Sequence, residues 1–193
     1  MTLAFDGFQN MNPEIQRRKF TLEEFERMRD LGLISEQHAE LLNGEIFVKG
    51  MQSGRHAYAI TALSEKMQVL FQTRASVASQ VPLILLSPPP DFVEPDVLVR
   101  NAPALQYATR NANSEDAILV VEISDSTLER DQTDKLKAYA RNGILEYWIL
   151  NLHTNQLEVY REPSGDEYLL TRKYKVGQAV ATLEFPDLRL EWW

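Results

Sequence analysis

The sequence predicts an α/β fold in which helices flank a mixed β-sheet, and three patterns carry this prediction. The segment 117–123 is apolar on both strand faces, which is typical of a central strand covered on both sides. Residues 54–73 contain no proline or internal glycine, and their apolar residues recur at helical spacing. Two further strand-like segments, 156–161 and 168–173, flank Gly165 and predict a closing hairpin.

The start of the chain predicts a short lead-in followed by one domain. Residues 1–20 are expected to be irregular, and a single domain is expected to occupy residues 21–193. Thr21 to Glu24 has the pattern of a capping box, in which the threonine hydroxyl and the glutamate carboxylate accept hydrogen bonds from free amides at a helix start. This helix is expected to end near Gly32.

A second helix and two strands are expected around the long helix. The second helix is predicted over residues 35–42, and Asn43-Gly44 is a turn signal. A short strand is predicted over residues 45–49, before the long helix. After that helix, residues 77–86 are expected to form one strand.

The second half of the chain is predicted to complete the sheet. Residues 92–99 form a strand that Pro95 interrupts, because proline cannot donate to a sheet ladder. After the central strand, Ser126 to Glu129 has the pattern of a second capping box, which predicts a helix that ends near Arg141. Residues 145–150 are apolar enough to form the next buried strand.

Composition restricts the expected environment and partners of the protein. The 20 Lys and Arg residues against 28 Asp and Glu give a net charge of −8. This balance argues against tight non-specific binding to nucleic acid, since such binding depends on basic side chains displacing counterions. The absence of cysteine excludes disulfides and fits a reducing cytoplasm. No apolar run approaches the ~20 residues of a membrane span, and no secretory signal pattern is visible, so a cytoplasmic protein without a membrane partner is expected.

Two carboxylates interrupt otherwise apolar strands and are the strongest candidates for chemistry. Asp96 follows Pro95 inside one strand, and Glu122 lies at the end of the central strand. A buried carboxylate is costly unless it is paired, hydrogen-bonded or bound to a metal. Mg²⁺ is commonly held by one or two carboxylates, with water and substrate phosphate at its other positions. The residues alone leave open that each acid caps a strand end or pairs with an arginine.

The helix after Glu122 carries polar residues on one stripe. Asp131, Lys135 and Tyr139 are spaced i, i+4 and i+8, and Ser124 shares the strand face of Glu122. Asp131 and Lys135 are spaced for a helical ion pair worth only about 0.3–0.5 kcal/mol. Alternatively, the lysine lies near a bound metal, where its charge stabilises a transition state. Both interpretations remain open from spacing.

Several motifs, in order along the chain, resemble a bacterial restriction-endonuclease domain family of the PD-(D/E)xK nuclease superfamily. The resemblance covers roughly residues 20–165, and the ordered series of motifs is more specific than any one of them. The matching segments are Asn43-Gly44-Glu45, His56, Pro95-Asp96, Glu122 to Thr127, Asp131 with Lys135, and Tyr139 to Trp148.

The resemblance implies a fold, a cofactor and a set of site residues. The implied fold has a helix–strand–strand–strand–helix–strand core, with an N-terminal helix and a C-terminal β-hairpin as additions. By this resemblance Asp96 and Glu122 bind Mg²⁺ or Mn²⁺ and take part in catalysis, Glu45 is a third acid, and Lys135 is the catalytic lysine. The superfamily pattern has its lysine two residues after the glutamate, where this chain has Ser124.

Four further residues are expected to support the metal ligands and the lysine without binding the metal themselves: Ser124, Asp131, Tyr139 and His56. The function implied is a metal-dependent endonuclease that hydrolyses nucleic-acid phosphodiester bonds, with DNA as the expected substrate and a homodimer as an open expectation. One alternative is a weakly active or inactive nuclease fold that serves as a binding or assembly module. Another is a hydrolase of small phosphorylated or glycosidic substrates. Nucleotide-binding, zinc-peptidase and serine-hydrolase motifs are absent from the sequence.

Overall fold

The computed structural model describes residues 17–36 and 38–191, so most of the predicted N-terminal lead-in lies outside the described residues. The first helix, α1, covers Leu22–Asp30 and begins at the predicted capping box. The Thr21 hydroxyl accepts a hydrogen bond from the Glu24 amide at 3.2 Å, and the Glu24 carboxylate accepts one from the Thr21 amide at 3.1 Å. The prediction of this helix start is confirmed.

The remaining elements are mostly short strands, with one long helix and one interrupted helical segment between them. The helices are α2 Gly54–Phe71, α3 Leu128–Arg130 and α4 Leu136–Arg141, with a π-helical turn at Asp131–Lys135 between the last two. The strands are β1 Ala39–Leu42, β2 Glu45–Val48, β3 Ser76–Ser79, β4 Leu83–Leu85, β5 Asp91–Val93, β6 Val97–Arg100, β7 Ala112–Asn113, β8 Ala117–Ser124, β9 Glu146–Asn151, β10 Gln156–Ser164, β11 Glu167–Tyr174, β12 Ala179–Ala181 and β13 Arg189–Glu191.

Two mixed sheets form the body of the fold. The six-stranded sheet has the order β11-β10-β9-β8-β6-β3, and the five-stranded sheet has the order β2-β1-β5-β4-β7. Strand β8 is central in the first sheet, parallel to β9 and antiparallel to β6, as its apolar faces predict. Strands β10 and β11 form the predicted hairpin, with Gly165 in the turn at a φ of 59°. The mixed α/β fold flanked by helices is confirmed.

The core is divided between the two faces of the six-stranded sheet. On one face, α2 packs through Leu63, Met67 and Phe71 against residues such as Val121 of β8. On the other face, α4 and the five-stranded sheet cover Val120 of β8 and its neighbours. Helix α1 covers the outer side of the five-stranded sheet, where Phe25 packs on Phe92. Among the described residues, no helix combines the length and apolarity needed to cross a membrane.

The predicted helix over residues 35–42 is wrong, because residues 39–42 form the buried strand β1. All four of its residues are buried. Leu41 packs toward α1, whereas Leu42 packs toward the central core. A strand buried on both faces lacks the alternation that distinguishes a strand from a helix, so the periodicity of this short segment is uninformative.

The predicted strand over residues 77–86 is two strands in different sheets. Strand β3 pairs with β6, while β4 pairs with β5. Gln80 lies between them with a left-handed φ of 51°, and its amide bonds to carbonyls near Pro95. The strand predicted over 92–99 is also split between the two sheets, at Glu94 to Asp96, where Pro95 was expected to interrupt it. Asp96 therefore lies where the chain crosses from one sheet to the other.

The second predicted capping box, from Ser126 to Glu129, is wrong in its geometry. The helix cap is Thr127, and its side chain makes no capping hydrogen bond. The Thr127 hydroxyl donates instead to the Asp131 carboxylate at 2.6 Å. A π-helical turn follows, and such turns often occur at functional sites. The helical segment still ends at Arg141, as predicted.

Candidate functional site

Glu122 lies on the central strand and faces away from α2. Its neighbours Val121 and Ile123 belong to the core beneath α2, so strand alternation directs Glu122 to the face covered by α4. The side chain is almost fully buried. Its Oε1 atom accepts a hydrogen bond from the Lys135 ammonium at 2.7 Å and one from the Tyr139 hydroxyl at 2.6 Å. The carboxylate at the strand end is therefore held by two donors from the following helical segment.

Lys135 reaches Glu122 from the last residue of the π-helical turn. Its side chain is 1% exposed, and its ammonium also donates to Glu40 Oε1 at 2.9 Å. Ser124, which stands two residues after Glu122, donates instead to Asp131 Oδ2 at 2.7 Å. The carboxylate of Asp131 thus joins the end of β8 to the start of the π-helical turn.

Asp96 lies beside Glu122 across the β6–β8 ladder. Its Oδ2 atom accepts a hydrogen bond from the amide of Ile123 at 2.8 Å. His56, in the first turn of α2, lies with its Nε2 atom 3.3 Å from the same oxygen and donates to the Ile123 carbonyl at 2.7 Å. The Ser53 side chain caps α2 immediately before His56. The start of α2 is thereby fixed against Asp96 and the end of β8.

These side chains line one pocket of about 310 Å³. Asp96, Glu122 and Lys135 form part of its wall, together with His56 at the start of α2. The pocket lies at the N-terminus of the 18-residue helix α2, where the free backbone amides and the helix dipole favour negative charge. Among the residues of the predicted site, Asp131 also lines this pocket.

The structure does not bring Glu45 to this pocket, whereas Glu40, which is not itself in the pocket wall, contacts the lining residue Lys135. Glu45 is exposed on β2, opposite Leu42, and is not part of the pocket wall. Glu40 on β1 is 0% exposed and accepts hydrogen bonds from Lys135 and from the Glu94 amide at 2.9 Å each.

Two further cations contact the Glu40 carboxylate. The Lys49 ammonium lies 3.2 Å from Oε1, and the Arg130 guanidinium lies 3.1 Å from Oε2. Sequence reasoning missed Glu40 because its segment was assigned to a helix. The signal was present, since Glu40 interrupts an apolar strand in the same manner as Glu122.

Burial and charge pairing shift the pKa values of the two glutamates in opposite directions. Burial raises the pKa of Glu122 to about 7, although Lys135 and Lys49 oppose the shift. Burial would also raise the pKa of Glu40, but Lys135, Lys49 and the Glu94 amide hydrogen bond lower it to about 2. Burial would lower the pKa of Lys135, yet Glu122 and Glu40 raise it. Lys135 and Glu40 are therefore an ionised pair at neutral pH.

The pKa values of Asp96 and His56 reflect their mutual contact. Burial would raise the pKa of Asp96, but the His56 hydrogen bond and the nearby Lys49 charge lower it. The hydrogen bond to Asp96 raises the pKa of His56 above its usual value, against the effect of burial. Asp96 is therefore an ionised carboxylate in the wall of the pocket.

The donor set of the pocket fits an open divalent-cation site. Within the described residues, no group of three or more His, Asp or Glu side chains is arranged to hold a metal ion. Asp96 and Glu122 each use one oxygen in the hydrogen bonds above, and the described residues provide no donor to the other oxygen, Asp96 Oδ1 and Glu122 Oε2. Mg²⁺ typically takes one or two carboxylates and keeps water at its other positions. The residues present fit this requirement, and they do not form a closed cage.

Comparison with known proteins identifies similar sequences and a similar fold. A family model described as "Uma2: Putative restriction endonuclease" matches residues 22–192 of this chain. The fold is similar to the crystal structure of "a putative nuclease belonging to DUF820" from Anabaena variabilis, with a TM-score of 0.68 and 17% sequence identity. That similarity covers 89% of this chain and 94% of the other. No curated protein matches the chain. At this low identity the structural likeness concerns the fold alone.

Proposed function

Because this chain belongs to the Uma2 restriction-endonuclease-like family, we propose that it is a metal-dependent endonuclease that hydrolyses nucleic-acid phosphodiester bonds. The observation that carries the proposal is the pocket in which two buried carboxylates from neighbouring strands, Asp96 and Glu122, lie beside the buried ammonium of Lys135. Family membership and fold support a nuclease-type enzyme. The metal, the nucleic-acid substrate and the residue roles are the proposed part.

Asp96 and Glu122 are the proposed ligands of Mg²⁺ or Mn²⁺. A divalent ion at these carboxylates would supply Lewis-acid activation of a water molecule and of a phosphate oxygen. Burial raises the pKa of Glu122 to about 7, so this carboxyl would have to be ionised to hold a divalent ion, and binding there would compete with a proton. Tyr139 and Lys135 both donate to Glu122 Oε1, which leaves Oε2 as the proposed ligand atom.

Lys135 and the other nearby residues keep the ligands in place. Lys135 places a positive charge 2.7 Å from a proposed ligand, which supports negative charge that develops at the site. His56 orients Asp96, and the pair of Ser124 with Asp131 fixes the turn that carries Lys135. These roles follow from contacts of the side chains with the proposed ligands or with each other.

A cleavage assay tests this proposal. Purified protein is incubated with supercoiled plasmid, single-stranded DNA and RNA in Mg²⁺ or Mn²⁺. Cleavage by the wild type is expected, together with its loss in Asp96→Asn and Glu122→Gln. A matched control is Glu26→Gln, since Glu26 is exposed on α1. Cleavage that persists in both site variants contradicts the residue assignment.

A second candidate is a nuclease fold that binds nucleic acid or assembles complexes without cleaving. The observation that favours it is the commitment of Lys135, which is 1% exposed and bonded to both Glu122 and Glu40. Binding of Mn²⁺ and nucleic acid without cleavage of any tested form would favour this candidate. DNA as the natural substrate, a homodimer and a cytoplasmic location stay predictions.

A further inference from the structure

Lys49 is a cation of the pocket that the sequence patterns did not indicate. It follows directly after β2, and its backbone amide donates to the His38 carbonyl at 3.0 Å. Its ammonium donates to the Glu94 carbonyl at 2.6 Å and lies 3.2 Å from Glu40 Oε1. An ammonium group has three donor hydrogens. Two of them are accounted for by these contacts, and one is left for a ligand.

Lys49 differs from Lys135 in its exposure and from Arg130 in the position of its charge. Lys135 is 1% exposed and bonded to two carboxylates, so it has little surface for contact. Arg130 is bonded to Glu40, and its guanidinium lies 4.0 Å from the ring centroid of Phe47, which holds it against the wall. Lys49 is 22% exposed and lines the pocket. Arg130 is about as exposed, at 21%, and its Nε has no partner within the described residues, so exposure and spare donors separate Lys49 from Lys135 but not from Arg130.

The position of Lys49 in the charged wall of the pocket distinguishes it from Arg130. Four carboxylates line the pocket, and four basic groups line it as well, namely Lys49, Lys135, Arg130 and His56; the acids are Asp96, Glu122, Asp125 and Asp131. A phosphodiester that enters would meet both these carboxylates and the basic groups, so the position of each basic group relative to the proposed metal ligands matters. Lys49 lies close enough to Asp96 and Glu122 for its charge to favour the ionised form of both. Its ammonium is thus near both proposed metal ligands.

We propose that Lys49 contacts the substrate, with its ammonium donating to a non-bridging phosphate oxygen of the nucleic-acid backbone. Glu40 and the Glu94 carbonyl act as positioning groups, because they hold the ammonium at the pocket wall. This inference rests on the proposed nucleic-acid function and assigns the backbone phosphate, and no base, as the group recognised by Lys49.

The salt dependence of binding tests the contact. Short fluorescently labelled single-stranded DNA and RNA are titrated with protein in CaCl₂ over a range of KCl concentrations, and binding is followed by anisotropy. Each phosphate contact to a single strand contributes about 0.7 to the slope of log K against log salt concentration. Lys49→Met is expected to reduce the magnitude of the slope by about 0.7, and Lys49→Arg to preserve it. Lys137→Met is the control, since Lys137 is exposed on α4.

Folding and activity measurements separate the roles. Lys49→Gln, which keeps a hydrogen-bonding side chain, is measured beside Lys49→Met, and thermal unfolding identifies any variant that is not folded. Both folded variants are expected to retain Mn²⁺ binding and to raise KM in the cleavage assay more than the control does. If folded Lys49→Met and Lys49→Gln keep the salt slope of the wild type, the inference about Lys49 is wrong, whereas the proposed function is not affected. A wild type that binds neither DNA nor RNA overturns the proposed function, and the inference with it.

Discussion

The buried carboxylate of Glu40 is expected to be a main stabilising feature of the site, which Glu40→Gln tests. Glu40 is 0% exposed and accepts contacts from three cations and one backbone amide. Removal of one partner of a buried ion pair typically costs about 3–5 kcal/mol. Lys135 keeps Glu122 as a partner, and Lys49 and Arg130 are 22% and 21% exposed, so water can compensate them. We therefore expect a loss of about 3 kcal/mol, at the lower end of this range.

Urea unfolding measures this loss directly. The free energy of unfolding is extrapolated from the midpoint and the slope for the wild type and for Glu40→Gln. Glu45→Gln is the matched control, because Glu45 is exposed on the neighbouring strand, and such surface changes usually stay within about 0.5 kcal/mol. A change in Glu40→Gln no larger than that of the control would refute the conclusion that Glu40 holds the cations together.

The lowered pKa of Glu40 also determines how the destabilisation by Glu40→Gln changes with pH. The pKa of Glu40 is about 2 in the folded protein against an ordinary value of 4.5. A depressed carboxyl pKa stabilises the fold fully above the ordinary value, and this contribution is lost as the pH falls through the folded value. The difference in unfolding free energy between wild type and Glu40→Gln is therefore expected to shrink as the pH is lowered from 4.5 toward 2. A difference that grows over this interval contradicts the assigned shift.

Three further results are expected. Removal of divalent cations with EDTA should weaken nucleic-acid binding, because Asp96 and Glu122 then face the backbone phosphates without the proposed metal, and added Mn²⁺ should restore it; binding that is indifferent to EDTA would argue against a shared site. Ser124→Ala should destabilise the protein by about 1 kcal/mol in urea unfolding, because Asp131 loses a buried donor. Tyr139→Phe should strengthen proton binding by Glu122, seen as a higher pH for half-maximal Mn²⁺ binding, since one donor to Oε1 is removed.

Local patterns were sufficient to predict much of the fold. The capping box at Thr21, the helix α2 and the hairpin around Gly165 each depend on residues that are close in sequence. The central position of β8 followed from its apolar faces. The single strand predicted over residues 77–86 was wrong, because the chain crosses between the sheets near Gln80; it crosses again near Asp96, where Pro95 was expected to interrupt the strand. Which sheet a short strand joins depends on tertiary pairing, and a short segment does not specify it.

Part of the candidate site was also predictable from local sequence patterns and from the family resemblance. Polar residues that interrupt apolar strands indicated Asp96 and Glu122, and the structure places both in the wall of one pocket. The family resemblance indicated Lys135, whose ammonium contacts Glu122. Glu40 contacts Lys135 across 95 positions of sequence, so no spacing rule could relate them. Recognition of β1 as a strand would have made Glu40 a candidate.

The helical segment after β8 illustrates a different limit. Spacing predicted a regular stripe of Asp131, Lys135 and Tyr139, but the structure has a π-helical turn between α3 and α4. The turn is stabilised by Asp131, which accepts from Ser124 and Thr127. The capping-box pattern from Ser126 to Glu129 was misleading, because the helix cap is Thr127 and its hydroxyl bonds to the Asp131 side chain and not to the helix start. Hydrogen-bonding choices among Ser, Thr and Asp are settled by the surrounding fold.

The central claim is that Asp96 and Glu122 hold a divalent cation, and calorimetric titration of Mn²⁺ tests it most directly. The account predicts binding of one ion by the wild type, loss of that binding in Asp96→Asn and in Glu122→Gln, and unchanged binding in Glu45→Gln. Mn²⁺ binding that survives in both Asp96→Asn and Glu122→Gln, or that is lost only in Glu45→Gln, would contradict it.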